Sequence, residues 1–453
     1  MYFAEFNDSF PPQTDGVAQT TRNYAYWLNK KHAPTCVVAP AFNNVRDREE
    51  FPVIRFISMP LFLDKDYKLG LPEIAFRTSR RLDELPLSLV HAHCPFMSGT
   101  LALQTARKQG IPLVATFHTK FADDFAQRVK IENAYKLAAG YTAKFFAQAD
   151  AVWTVNHASA ETLREYGYRG PVTIMPNGCD FAPHERSAEN RAAILQQYGL
   201  EDVPLLLFVG RVVEQKNIGF LLESLALIRG EARFHLLIVG DGEGMPHFRK
   251  KVTELGLQHE VRFAGAVRDR VLLQNIYAAA DLFTFPSVYD TDGLVKREAA
   301  SCGCPSALIE GSNAAEGIVD GFDGFTTPLD RNAYAALLLN CIRNPELLVR
   351  VGLQSRDSVY VSWETVVDRA YEEYKNIIAN YDQKKAYAQG KRHYSVPLAV
   401  AYEIYSKQAV RVKFTTRAIN REARHRTVVI QKAAIHNIRR LREAMRSLQT
   451  WRR

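Results

Sequence analysis

Short apolar runs alternate with helical patterns along most of the chain. In the first half, the runs YFAEF, TCVVAP, LVHAH, PLVATFH, AVWTVN and VTIMPNG each end in polar or small residues and predict strands. In the second half, PLLLFVG, FHLLIVGDG, VRFAGAV, LFTFPS and PSALIEG repeat the pattern. Runs that are apolar throughout are typical of parallel strands buried on both faces. We therefore predict an α/β protein with two tandem doubly wound Rossmann-like domains.

The boundary between the two domains is predicted at the turn residues of PNGCD, which precede a polar stretch and a new helix. The segment SWETVVDRAYEEYKNIIANY predicts a helix that closes the second domain. Doubly wound domains bind ligands at the carboxyl ends of their strands, so two facing domains would share a cleft. The predicted parts are a first domain over 1–180, a second over 181–362, a closing helix over 363–381 and a basic tail over 382–453.

Residues with suitable chemistry follow several predicted strands. Gly16 lies between a turn and a helix, where a bare backbone permits close approach of a ligand. Arg211 follows a strand in FVGRVVEQKN, Lys216 comes five residues later, and His118 ends a strand of the first domain. A helix predicted to begin near Gly293 would point its free N–H groups at an anion in the cleft. Together these groups suit a diphosphate held without a metal ion.

The stretch YDTDGLVKREAA contains two acidic patterns that point to different chemistry. Asp290 and Asp292 form the D-x-D sequence that many metal-dependent nucleotide-sugar enzymes use, whereas Asp290 and Glu298 are eight residues apart. We favour the second pair, because a cationic site for the diphosphate is already predicted. Asp292 falls at the predicted N-cap of the helix, where Asp is common for capping alone.

Two other patterns have competing interpretations. VGDGEG follows a strand, but its glycines at 240, 242 and 244 do not have the G-x-G-x-x-G spacing of a dinucleotide site, so a loop beside a nucleotide is favoured. His91 and His93 lie on one face of a predicted strand and could form a metal pair. Because no third ligand is evident in the sequence, we favour a structural or cleft-lining role.

The tandem halves, the early turn glycine, G-R-x(4)-K-N and the spaced acidic pair before EAASCGCP resemble glycosyltransferase family 4. That resemblance covers roughly residues 1–380 and implies a retaining sugar-nucleotide transferase with the GT-B fold. The family pattern is E-x(7)-E, whereas this chain has Asp290 in the first position. Within the family, YDTDGLVKREAA and the basic tail most resemble bacterial enzymes that glycosylate lipids or cell-envelope polymers.

The resemblance also implies roles for individual residues. The nucleotide diphosphate would contact Gly16, Arg211 and Lys216, and Glu298 would accept hydrogen bonds from the ribose. Asp290 would bind hydroxyls of the donor sugar, and His118 would orient that sugar or stabilise its cation-like transition state. The phosphates or sugar would also contact backbone N–H groups of the residues that start the helix, Gly293, Leu294 and Val295.

The sequence therefore predicts a metal-independent hexosyltransferase that needs no cofactor and uses a nucleotide diphosphate sugar, UDP-glucose or a relative. The expected acceptor is a lipid or cell-envelope glycan bound by the first domain. A sugar-nucleotide epimerase of the same fold is an alternative. A nucleic-acid-binding protein is a weaker one, because no aromatic-rich recognition motif accompanies the basic tail.

Composition adds a cellular context. The chain has a net charge of +9, yet the segment from Tyr381 onward holds 18 Lys and Arg against four acidic residues, so the remainder is acidic. Six cysteines in 453 residues do not suggest a disulfide framework, and we expect them to be reduced and packed in a cytoplasmic protein. The sequence has neither a signal peptide pattern nor an apolar run long enough for a membrane span.

The end of the tail predicts a basic amphipathic helix. Its apolar residues recur every three or four positions, and Arg439, Arg440, Arg442 and Arg446 flank them. Such a helix suits an anionic membrane surface, and docking on the enzyme body is the alternative. We expect residues 400–453 to place the enzyme peripherally on the inner face of the plasma membrane, without a nucleic-acid partner. The apolar positions are Ile430, Ala434, Ile438, Leu441, Met445, Leu448 and Trp451.

Overall fold

The computed structural model describes residues 1–13, 15–42, 45–60, 68–70, 76–120, 122 and 134–382. The amphipathic helix predicted in the tail lies outside the described residues, as does the rest of the tail after Asp382.

The first parallel sheet has seven strands in the order β3-β2-β1-β6-β7-β8-β9. Strands β4 and β5 are absent from this order because they form a separate antiparallel pair. Each strand predicted for the first half is present, and β3, β4 and β5 are additions. The strands are β1 Phe3–Phe6, β2 Thr35–Pro40, β3 Val53–Phe56, β4 Ser58–Pro60, β5 Lys68–Gly70, β6 Leu89–Ala92, β7 Leu113–Phe117, β8 Ala151–Thr154 and β9 Thr173–Ile174.

The second sheet is also parallel and has the order β12-β11-β10-β13-β14-β15. The order reverses between β1 and β6 in the first sheet and between β10 and β13 in the second, and doubly wound folds bind ligands at such switch points. All five strands predicted for the second half are confirmed, and β15 is an addition. The strands are β10 Leu205–Val209, β11 His235–Val239, β12 Val261–Gly265, β13 Leu282–Phe285, β14 Ser306–Ile309 and β15 Phe325–Thr327.

Helices connect the strands and cover the sheets. Several begin with the Asp, Asn or Ser caps that the sequence offers, because these side chains accept hydrogen bonds from N–H groups of the first turn. The helices are α1 Gly16–Lys31, α2 Phe76–Asp83, α3 Met97–Gln109, α4 Ala134–Phe146, α5 His157–Glu165, α6 Ala188–Tyr198, α7 Ile218–Ile228, α8 Met245–Glu254, α9 Arg270–Ala279, α10 Leu294–Ser301, α11 Arg331–Arg343, α12 Pro345–Ser358 and α13 Trp363–Ala379.

The last described helix, α13, corrects one expectation. It forms where the sequence predicts it, but its apolar face packs against the first sheet rather than closing the second domain. Trp363, Val367 and Tyr374 are buried in one cluster with Phe3 and Leu28. The spacing of apolar residues locates a buried face on a helix, but it does not say which surface covers that face. The predicted domain bounds themselves stay predictions.

The cysteines and helices agree with the compositional expectations. All six cysteines are buried and unpaired, as predicted. Within the described part of the chain, each helix is too short or too polar to cross a lipid bilayer.

Candidate active site

Two helix N-termini, one from each sheet, meet at the cleft. Helix α1 begins at Gly16, and α10 begins at Leu294 after Gly293, whose φ is 68°. A Cβ added to Gly16 would lie 3.4 Å from Cδ1 of Leu294, so the two N-termini are close neighbours. Free N–H groups at both ends make this a favourable position for an anion.

Two loops after strands of the second sheet are tied to each other beside α10. The loop after β10 forms a single 3₁₀ turn at Glu214–Lys216 and ends at Asn217 in the left-handed region, at φ 54°. The Asn217 side chain donates to the carbonyl of Pro286 in the loop after β13, at 3.0 Å. This link holds Lys216 beside the acidic loop.

Lys216 and Asp290 form an ion pair, so the structure brings two predicted site residues together. The ammonium group donates to Oδ1 of Asp290. The other carboxylate oxygen, Oδ2, is buried and has no hydrogen-bond partner in the described part of the chain. It is therefore an unsatisfied hydrogen-bond acceptor. The Arg211 side chain is exposed and likewise makes no hydrogen bond or ion pair with a described residue.

Glu298 already has two protein partners. Its Oε1 accepts from Arg270 at 2.9 Å, and its Oε2 accepts from the Tyr277 hydroxyl at 3.0 Å. Burial raises the pKa of Glu298, and the neighbouring Arg270 only partly offsets that effect. Because an ionised carboxylate oxygen has two lone pairs, both oxygens can still accept a further hydrogen bond.

Asp292 does not cap α10, so that prediction is wrong. The N-cap position belongs to Gly293 and has no side-chain hydrogen bond. Asp292 instead accepts from Arg297 at 2.7 Å and from Asn177 at 2.8 Å. Burial would raise the pKa of Asp292, but these partners and Lys296 outweigh burial and lower it. Asp290 and Asp292 thus pair with different cations.

His118 lies in a buried polar network within the first sheet. Its Nε2 is 2.9 Å from Nδ1 of His93, and Nε2 of His93 is 2.7 Å from a carboxylate oxygen of Glu5. Burial lowers the pKa of His118 well below its ordinary value, with further lowering from His93 and His91. No local sequence pattern pointed to Glu5, because it stands inside an otherwise apolar strand.

His91 joins the same network on its other side. Its Nδ1 is 2.6 Å from the Tyr374 hydroxyl and its Nε2 is 2.7 Å from the Thr116 hydroxyl. Glu5, His91 and His93 are also the one group, among the residues that the structure describes, that lies close enough together to hold a metal ion. In such a site Glu5 would be the third ligand that was not evident in the sequence.

Contacts between the two domains involve residues that the sequence analysis missed. Glu316 accepts from the backbone N–H groups of His157 and Ala158, each at 2.7 Å, and so caps a helix of the first domain. Asn156 donates to the carbonyl of Thr291 at 2.7 Å. The only sequence feature that pointed to these contacts was the polar end of the predicted strand AVWTVN, which contains Asn156.

The glycine run after β11 has a structural explanation. A Cβ added to Gly240 would lie 1.8 Å from the carbonyl oxygen of Gly210, and one added to Gly242 would lie 2.5 Å from that of Val212. The two strand-end loops therefore cross at backbone contact. This contact accounts for the glycines without a dinucleotide.

Comparisons with known proteins agree with this architecture. Residues 14–182 match the family model described as Glycosyltransferase Family 4, and residues 203–344 match the model described as Glycosyl transferases group 1. The chain is 25% identical over 311 residues to an alpha-monoglucosyldiacylglycerol synthase of Streptococcus pneumoniae, covering 67% of this chain and 70% of that protein. It is 25% identical over 363 residues to the enzyme of the same name from Acholeplasma laidlawii, covering 77% and 90%.

A solved structure shares the fold. The crystal structure of Anabaena Alr3699/HepE in complex with UDP-glucose superimposes with a TM-score of 0.67 at 20% identity, covering 83% of this chain and 100% of that one. The two family matches, the two parallel Rossmann-like sheets and this superposition lead to one conclusion. The chain belongs to the family 4 glycosyltransferases and is a hexosyltransferase of the GT-B type.

Proposed function

We propose that this enzyme transfers glucose from UDP-glucose to a lipid or cell-envelope acceptor with retention of the anomeric configuration. The observation that carries the proposal is the Lys216–Asp290 pair beside the paired helix N-termini, with one Asp290 oxygen unpartnered. The names of the similar synthases, which contain monoglucosyldiacylglycerol, support a glucosyl group and a lipid acceptor. The UDP-glucose complex of the similar fold supports the donor.

The diphosphate is bound by fixed positive charge and backbone N–H groups. Lys216 and the exposed Arg211 neutralise the leaving phosphate, and Gly16 allows its oxygens to approach the N-terminus of α1. The N–H groups of Gly293, Leu294 and Val295 provide the second helix end. Preorganised donors of this kind stabilise charge that develops on a leaving group. Because Asp290 and Asp292 each pair with a cation, we propose that binding needs no metal ion or cofactor.

The donor sugar and ribose are held by the spaced acidic pair. Oδ2 of Asp290 accepts a hydrogen bond from a sugar hydroxyl, since it is buried and lacks a partner among the described residues. Asp is one methylene shorter than the Glu of the family pattern, so the sugar lies closer to this loop. Glu298 accepts from the ribose hydroxyls with the lone pairs that Arg270 and Tyr277 leave free.

Retention follows a front-side path in this proposal. The bond from the anomeric carbon to the phosphate oxygen breaks as the acceptor hydroxyl attacks the same face. The acceptor proton passes to the departing phosphate oxygen, so UDP leaves with the proton and the new glycosidic bond forms. His118 orients the sugar. A covalent glycosyl-enzyme trapped on Asp290 or another carboxylate would contradict this path.

The direct test supplies purified protein with a panel of UDP- and GDP-sugars, each with and without a bacterial lipid extract. We expect a glucolipid from UDP-glucose in the presence of 5 mM EDTA, with an α linkage by NMR. Donor consumption without any acceptor would indicate an epimerase instead. Loss of product with EDTA and recovery with Mn²⁺ would favour the D-x-D metal site.

We also propose that residues 400–453 bind an anionic membrane surface, where a lipid acceptor is found. Each Lys or Arg near such a surface contributes about 1 kcal/mol. Replacing Arg439, Arg440, Arg442 and Arg446 by Gln should therefore release the protein from vesicles that contain phosphatidylglycerol, at low salt. The matched control changes four exposed cations of the body to Gln and should leave vesicle binding intact. These are Arg80, Arg233, Lys250 and Arg331.

If the tail variant binds the vesicles as well as the control variant does, the membrane contact lies outside these four arginines. If neither variant nor the wild-type protein binds them, the membrane proposal is wrong. Tight, strongly salt-dependent binding of the wild-type protein to RNA or DNA, lost in the tail variant, would instead support a nucleic-acid partner.

A further inference from the structure

The centre of the first sheet holds a chain of three ionisable side chains where apolar residues are expected. Glu5 on β1 is fully buried, as is His93 just after β6, and His118 just after β7 is 7% exposed. Burying such groups costs free energy unless each one is hydrogen-bonded. The hydrogen bonds therefore determine which nitrogen of each ring carries a proton, beginning with the partner of the Glu5 carboxylate.

Glu5 fixes the first proton. Burial raises its pKa, but His91 and His93 outweigh burial and lower the pKa to about 2, so Glu5 is ionised and only accepts. Nε2 of His93, 2.7 Å away, must then carry a hydrogen and donate. Burial and the neighbouring His91 lower the pKa of His93 to about 4, so its ring is neutral at pH 7 and its Nδ1 is an acceptor.

The position of the proton on His118 follows from its contact with His93. Since Nδ1 of His93 accepts, Nε2 of His118 at 2.9 Å must be the donor. His118 is neutral, because burial holds its pKa well below the ordinary value. Its Nδ1 therefore has a free lone pair, and this atom has no hydrogen-bond partner among the described residues. The proton positions are assigned from the partners of each ring.

The other half of the network is consistent with this assignment. The Thr116 hydroxyl donates to Nε2 of His91, and Nδ1–H of His91 donates to the Tyr374 oxygen. The Tyr374 hydroxyl then donates to the second oxygen of Glu5, at 3.3 Å. Nδ1 of His91 also lies 3.2 Å from a carboxylate oxygen of Glu5, so both halves of the network meet at that carboxylate.

We propose that Glu5 and His93 are positioning residues that hold His118 as its Nε2–H tautomer and leave Nδ1 as a hydrogen-bond acceptor for a substrate hydroxyl. This inference rests on the proposed function, in which His118 orients the donor sugar. A ring that can only accept at Nδ1 selects a hydroxyl donor and fixes its direction. Partners that orient metal-bound histidines contribute about 10- to 100-fold in activity, and we expect an effect of that size for His118.

A metal ion on Glu5, His91 and His93 is the rival arrangement. It would need Nε2 of His93 and Nδ1 of His91 as lone pairs directed at the ion, whereas both nitrogens already bond to protein oxygens as donors. Elemental analysis of the purified protein distinguishes the two. A metal at one equivalent per chain would overturn the hydrogen-bond assignment.

The first experiment reads the tautomers without any substrate. Protein labelled with ¹⁵N-histidine is measured at pH 7.5 by long-range ¹H–¹⁵N correlation, and the His118 signals are assigned by their loss in His118→Asn. We expect the Nε2–H tautomer for both His118 and His93. An Nδ1–H tautomer at His118 overturns the proposal. This result stands even if no sugar donor is turned over, in which case only the proposed function fails.

The second experiment measures the histidine tautomers and the turnover rate in the same Glu5 variants. Glu5→Leu removes both acceptor oxygens, so we expect mixed tautomers at His93 and His118 and a kcat about 10- to 100-fold lower. The donor KM should change by less than about 3-fold, because Glu5 is not among the residues proposed to contact the nucleotide. Glu5→Gln keeps one acceptor oxygen and should fall between Glu5→Leu and the wild type.

Thr116→Val is the matched control, because it removes a buried hydroxyl from the network without touching the Glu5–His93–His118 chain. It should lower stability but leave kcat within about 2-fold of wild type and both tautomers unchanged. Unchanged kcat in a folded Glu5→Leu protein, or equal losses in Glu5→Leu and Thr116→Val, would show that the network is only structural.

Discussion

The two parallel sheets have the same strand order apart from one additional edge strand in the first, but they place their polar side chains differently. In the first sheet, Glu5 and His91 stand inside central strands and are fully buried. In the second sheet, the central strand Leu205–Val209 is apolar throughout, and Lys216 and Asp290 lie in loops after the strands. The first domain thus has ionisable groups inside its central strands, whereas the candidate site residues Lys216 and Asp290 of the second domain follow its strands, at the rim of the sheet.

This difference separates two kinds of site. Buried groups must satisfy one another, because an unpaired polar group in the core is costly, so the first-sheet network has a single arrangement. Groups at the rim keep unused capacity, as the unpartnered oxygen of Asp290 and the exposed side chain of Arg211 illustrate. The first domain is therefore suited to orienting a substrate, and the second to binding a charged one.

The largest expected effect tests the rim of the second domain. Lys216→Ala removes fixed positive charge from the leaving diphosphate and should lower kcat by about 100-fold or more. Arg211→Ala should act in the same direction. Steady-state kinetics with UDP-glucose and the lipid acceptor measure both.

Arg233→Ala is the control for these variants, because it removes an exposed cation of the same domain that pairs with Glu201. Its kcat should equal that of the wild type. Normal turnover in Lys216→Ala and Arg211→Ala would remove the second domain's rim from the active site.

The second-largest expected effect concerns Asp292, which is buried and paired like the first-sheet network although it lies in the second domain. It is buried and pairs with Arg297 and Asn177. Asp292→Asn leaves Arg297 without its charge partner, so we expect the free energy of unfolding to fall by about 2 kcal/mol or more. Asp202→Asn breaks an exposed pair and should change it by less than about 0.5 kcal/mol. Urea unfolding compares the two, and equal small effects would contradict the buried role.

The sequence predicted neighbouring residues in the second domain better than in the first, for a physical reason. Lys216 and Asp290 sit in loops that directly follow strands, so local spacing is enough to place them at one edge of a sheet. The first-sheet network joins residues as distant as Glu5 and Tyr374, and no local pattern connects them. Asp292 shows a further limit, since a residue before a helix can cap it or bond elsewhere.

The fold followed from the sequence for a similar reason. Apolar runs such as Leu205–Val209 identify buried parallel strands on their own. The helix α13 was located correctly by its apolar spacing, but its packing on the first sheet depends on a surface formed by Phe3, Leu28 and Trp153. Which surface a helix covers is a property of the assembled chain rather than of the segment.

A smaller effect is expected at Glu298, where the rim of the second domain is partly satisfied. Glu298→Gln keeps the shape but weakens acceptance from ribose hydroxyls and from Arg270. The donor KM should rise about 10-fold while kcat changes less, since ribose contacts are made equally in the ground and transition states. Glu260→Gln is the control, because this carboxylate pairs with Arg229 and lies just before β12, away from the ends of the strands that form the rim. A kcat loss without a KM change would move Glu298 from binding to the chemical step.

The smallest expected effect is on the pH dependence of folding stability, which distinguishes the two sheets. Burial lowers the pKa of His93 from 6.5 to about 4, so the unfolded chain binds more protons than the folded one in that interval. Stability should therefore fall as the pH drops from 6.5 toward 4, by about 1 kcal/mol between pH 7 and pH 5.5 for this histidine. His118 should add to the loss, because burial lowers its pKa as well.

Urea unfolding at about pH 7 and pH 5.5 measures this loss, and His93→Gln should reduce it by about 1 kcal/mol because the titrating ring is gone. His247→Gln, on an exposed helix of the second domain, should keep the wild-type pH dependence. Since Glu5 titrates toward a pKa of about 2, it contributes little above pH 5. The same pH dependence in His93→Gln and the wild type would mean that burial does not lower the pKa of His93, and the contrast between the sheets would then rest on position alone.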